Sequence, residues 1–83
     1  MSEAFPNPTN GNTNFEIYTP VKGEASIRMY DNAGRLVYDR LEKINIGNTQ
    51  IELDLENVAK GAYSLEVKFG LTNFVNVQKI IKQ

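Results

Sequence analysis

From Phe15 onward, apolar residues recur at every second position in short runs broken by Gly, Asn, Asp or Pro. That period belongs to a strand with one buried face, and no stretch carries the three-to-four spacing of a useful amphipathic helix. Phe15 and Ile17 open the pattern, and Ala25, Ile27 and Met29 continue it after a turn signal from Pro20 to Gly23. Asp31-Asn32-Ala33-Gly34 then offers a side chain able to bond its own turn and a glycine free to take positive φ. This is hairpin chemistry, placed between Met29-Tyr30 and Leu36-Val37-Tyr38. Ile44 and Ile46 form a short run of their own, closed by Gly47-Asn48. Ile51, Leu53 and Leu55 alternate with Gln50, Glu52 and Asp54, so that strand has one wet face. Glu56 to Gly61 is too short for a normal helix and is expected to form a corner, at most one helical or 3₁₀ turn ending at Gly61. Tyr63, Leu65, Val67 and Phe69 resume the alternation, and Gly70 to Asn73 is expected to turn the chain into a last strand, Phe74 to Lys82.

About seven short strands without a competing helix predict an all-β fold, an immunoglobulin-like antiparallel β-sandwich. The 83 residues allow one domain, and 41% apolar residues suffice for a single core. Residues 1–13 are polar and are expected to be a linker, with Met1-Ser2 an added start and Pro6-Asn7-Pro8 holding Phe5 and Asn7 extended. The folded domain is then expected over residues 14–83.

Composition removes several classes of function. Nine basic residues against ten acidic ones leave a formal charge of −1, which gives no footing for nucleic acid or for an anionic membrane surface. The chain has neither cysteine nor histidine, so thiolate chemistry and the commonest proton carrier and metal ligand are missing. No apolar run approaches the roughly 20 residues that span a bilayer, and no export signal is expected at the amino end. No cofactor is called for.

The remaining constellations each have a plain structural reading. Glu52 and Asp54 share a strand face, their carboxylates roughly 7 Å apart, but an acid–base pair needs one carboxyl raised by burial, and this face is solvated. Asp31, Asn32 and Asp39 offer oxygens to calcium without the acidic ladder of a recognised loop, and turn chemistry accounts for the first two. Ser26 and Ser64 lack a candidate base, so the chain is expected not to be an enzyme. Tyr18, Tyr30 or Tyr38 would form an exposed binding face in an alternative reading, a surface adhesion or carbohydrate-binding module, and a passive spacer is a third reading. Tyr63 follows the corner, where a phenol bonded back to the preceding loop would pin the turn.

Lys79-Ile80-Ile81-Lys82 interrupts the alternation, so that either Ile80 or Ile81 is partly exposed, or a bulge turns both inward. Flanking lysines guard an exposed edge, and the same edge is open to a dedicated partner that adds a strand. An unpaired final strand also permits a strand-exchanged oligomer.

Five blocks stand in order: Phe5-Pro6-Asn7-Pro8; Ala25 to Val37, through Tyr30-Asp31-Asn32-Ala33-Gly34; Ile51-Glu52-Leu53-Asp54-Leu55; Val58-Ala59-Lys60-Gly61-Ala62-Tyr63; and Lys79-Ile80-Ile81-Lys82. Together they resemble the C-terminal sorting domains of type IX secretion substrates in Bacteroidota. The resemblance covers nearly the whole chain; Val58 stands where leucine is common and Ala62 where a branched aliphatic residue is common. It implies a non-catalytic signal domain at the end of a larger cargo protein, directing it through the periplasm and the outer-membrane translocon to the cell surface or beyond. It also implies removal by a sortase-like peptidase, with cleavage in the polar segment before Phe15. Carried over by position, Gly34, Gly61 and Tyr63 are shape-defining turn residues, and Lys79, Ile80, Ile81 and Lys82 are the recognition residues. The resemblance implies no metal and no cofactor.

Overall fold

The computed structural model describes residues 2–70 and 75–83. Its described residues form six strands and no helix: β1 Asn12–Thr19, β2 Gly23–Tyr30, β3 Leu36–Ile44, β4 Gly47–Asp54, β5 Gly61–Phe69 and β6 Val75–Lys82. All ladders are antiparallel. β1 pairs with β4 in one sheet, and the other sheet has the order β3-β2-β5-β6. The two face each other as a β-sandwich.

Alternation decides what lies between the layers. Phe15, Ile17, Ile51 and Leu53 come from the two-stranded sheet, and Ala25, Ile27, Met29, Leu65, Val67 and Ile80 from the four-stranded one. Leu55 and Tyr63 close the same core at one end. Each large apolar side chain taken from water contributes roughly 1.5–3 kcal/mol, so this shared interior is what holds two otherwise marginal sheets together.

The expected strand at Ile44 and Ile46 does not stand alone. Ile44 is the last residue of β3 and points into the core, whereas Ile46 lies in the crossing turn, 65% exposed. The run was two residues that straddle the step from one sheet to the other. Glu56 to Gly61 is a corner closed by a Val58 N–H to Leu55 carbonyl bond, not a helical segment. β5 and β6 pair as the last hairpin requires, while the turn residues 71–73 and the strand start at Phe74 lie outside the described residues.

Residues 2–9 are more than a polar lead-in. The Ser2 amide donates to the Glu16 carbonyl, and Phe5 and Asn14 exchange amide-to-carbonyl bonds, so this stretch extends the β1 edge. It then crosses to the other sheet, where the Thr9 amide bonds the Ile81 carbonyl and the Gln83 amide returns to the Thr9 carbonyl. Ala4 and Thr9 are buried and the rest of this strap is exposed, including Phe5 at 78%.

Candidate recognition surface

The turn, the corner and the tail singled out in the sequence meet at one end of the sandwich. Tyr30 lies opposite Ser64 in the β2–β5 ladder, and Gly61 and Ala62 lie opposite Lys82 and Ile81 in the β5–β6 ladder. Antiparallel pairing therefore brings the end of β2, the start of β5 and the end of β6 together. A shallow depression of about 340 Å³ separates turn from corner, lined by Asp31, Arg35, Lys60 and Tyr63 among others.

The turn is built by Asp31. One carboxylate oxygen accepts the Ala33 and Arg35 amides, both at 2.9 Å, and the other accepts the Arg35 Nε at 2.9 Å. The Arg35 amide, its guanidinium and the Ala33 amide hold this carboxyl below its ordinary range. Gly34 takes φ +81°, which an L side chain adopts only with strain, and its amide closes the turn on the Asp31 carbonyl. Both Asp31 oxygens are thus engaged by the turn, and Asp39 pairs instead with Arg28 at 3.4 Å.

The corner is clamped twice. The Tyr63 hydroxyl donates to the Ala59 carbonyl, and the Lys82 Nζ donates to the Val58 carbonyl at 3.1 Å. Gly61 sits opposite Lys82 and takes φ +152°, a conformation that an L side chain adopts only with strain. Lys82 is only 7% exposed. A lysine expected to guard the edge from outside is therefore a brace inside the end of the sandwich, because its register position faces inward.

β6 keeps strict alternation against β5, with no bulge. Ile80 lies opposite Tyr63 and is fully buried, whereas Ile81 is half-buried on the outer face with exposed Lys79. Of the sequence candidates, Lys79 and Ile81 remain on the surface, and Ile80 and Lys82 hold the strand in place.

The edge of the tail is covered, contrary to the open edge expected from sequence. The Asn7 side chain donates to the Lys79 carbonyl at 2.7 Å and accepts the Ile81 amide at 2.9 Å. Proline has no N–H, so Pro6 and Pro8 cannot donate to a ladder, and the Asn7 amide supplies donor and acceptor in place of main chain. Sequence reasoning missed this latch; an amide side chain between two prolines was its signal.

The other candidates scatter. Glu52 and Asp54 lie on the outer, exposed face of β4. Tyr18 is exposed on the two-stranded sheet, Tyr30 faces outward on β2, and Tyr38 packs partly against the core, so the three share no face. Among the described residues no group of three or more metal-type ligands occurs.

The shaped turns of this small β-sandwich therefore converge on an ordered carboxy-terminal strand. The family model described as a secretion system C-terminal sorting domain matches residues 3–83, nearly the entire chain. The chain belongs to this family, the C-terminal sorting domains of type IX secretion. Neither a curated protein nor a solved structure matches it. Membership makes the domain a sorting signal, in a family that is not a known enzyme family, and implies an attached cargo passing through the outer membrane to the surface or the medium.

Proposed function

We propose that the domain acts without catalysis, as a folded surface read by the type IX translocon. Lys79 and Ile81 supply the contacts, Ile80 and Lys82 fix the strand that carries them, and Gly34, Gly61 and Tyr63 shape the loops beside it. The observation that carries this reading is the convergence of turn, corner and tail, with only alternate tail residues facing out. A sortase-like peptidase then removes the domain by cutting the polar segment before Phe15. A cut between Thr9 and β1 would release the strap with the cargo and uncover the edge at Lys79 to Gln83. Tyr18, Tyr30 and Tyr38 do not form one platform, so the adhesion reading would rest on single exposed rings such as Tyr18.

The test uses a cargo fusion in a type IX-competent cell. Changing both outward residues, Lys79→Glu with Ile81→Ser, leaves the core untouched and is expected to hold the fusion in the periplasm with the domain still folded. Unchanged surface delivery would refute the role given to the tail.

A further inference from the structure

At the opposite edge of the four-stranded sheet, β3 pairs only with β2, and among the described residues no backbone bond reaches its outer side. Such an edge invites indiscriminate pairing, and charged side chains are the usual guard. Here the guard has an order. Met29 pairs with Tyr38 and Tyr30 with Leu36, which leaves Val37 as a bulge, so the regular part of the strand is Tyr38–Ile44 with Leu41 at its midpoint. About that midpoint the charges run Asp39, Arg40, then Glu42, Lys43.

A strand that pairs with its own copy about a two-fold axis must centre on a residue, because residues opposite one another in an antiparallel ladder point to the same face. Centring on Asp39, Arg40, Glu42 or Lys43 sets that charge against itself. Centring on Tyr38 puts Asp39 opposite the bulged Val37 and Arg40 opposite Leu36. Centring on Leu41 alone sets Asp39 opposite Lys43 and Arg40 opposite Glu42, on both sides of the axis. It also brings Leu41, 69% exposed, against its copy.

We propose that two copies of this domain associate through β3, antiparallel about Leu41, and so join their four-stranded sheets into one. The charges are already held along the edge: Arg28 pairs with Asp39 at 3.4 Å, and Arg40 pairs with Glu42 at 2.8 Å while donating to the Glu52 carbonyl at 2.9 Å. Opposite charges facing across strands favour this register, and the same side chains repel other strands. A contact limited to one strand edge is small, so the association is transient and rises with concentration. It uses the edge opposite β6 and leaves the tail end clear.

Sedimentation velocity of the 83-residue chain across a concentration series at low salt tests this. The expected result is a shift from monomer towards dimer, weakened by added salt. D39K and K43D each set like charges across the axis, so each alone is expected to stay monomeric at concentrations where the parent dimerises. Mixed in equal amounts they should recover a dimer, because each chain then carries the sign the other lacks. Thermal melting of both variants confirms that they fold. A parent that stays monomeric throughout, single variants that dimerise like the parent, or a folded mixture that stays monomeric would each overturn the proposal.

Discussion

One phenolic hydroxyl and one ammonium hold the corner that precedes β5. Tyr63→Phe removes the bond to the Ala59 carbonyl and keeps the ring in the core, so it is expected to cost about 1 kcal/mol, read as a lower urea midpoint with an unchanged slope. An unchanged midpoint would mean that the bond contributes nothing net. Tyr63 was legible because a phenol directly after a glycine corner has a nearby carbonyl to reach. Ile80 and Ile81 were not, since adjacent isoleucines give a period-two pattern no phase. Their faces are settled only by the pairing of Ile80 with Tyr63. Lys82 was misread for a related reason: a lysine one residue from the end looks like surface charge until its register places it opposite Gly61.

Strands were easier to locate than their neighbours. The alternation of β1, β2, β4 and β5 is visible in the chain because each buries one face against a single core. β3 was truncated in the sequence reading because its inner positions Tyr38, Arg40 and Glu42 are polar or aromatic and only Ile44 is fully buried there. The strap was illegible as structure because it contributes only Ala4 and Thr9 to the interior and depends on hydrogen bonds instead. Such a segment opens at low cost relative to the core. Asn7→Ala removes two of its bonds and is expected to speed hydrogen exchange of the Ile81 amide roughly thirtyfold, in keeping with about 1 kcal/mol for each of the two bonds. The Leu65 amide, in a central strand, should be unaffected. Equal acceleration at both would show that the strap supports the whole sandwich and is no local cover.

The molecule as a whole follows from a short inventory: one core, two sheets, and loops that gather at the end where the chain finishes. The all-β fold was readable because period-two runs without a helical pattern must bury their apolar faces sheet against sheet in a chain of 83 residues. The gathering of Gly34, Gly61, Tyr63 and the tail was not, because it depends on which strands are neighbours and not on any local pattern. Family membership establishes the sorting role, and the alternation of β6 divides the tail into residues that can be touched and residues that cannot. A photo-crosslinking amino acid placed singly at 79, 80 or 81 of a secreted fusion reads that division in the working cell. The account predicts adducts with a translocon component from 79 and 81 and none from 80. Strong adducts from 80, or none from 79 and 81, would contradict it.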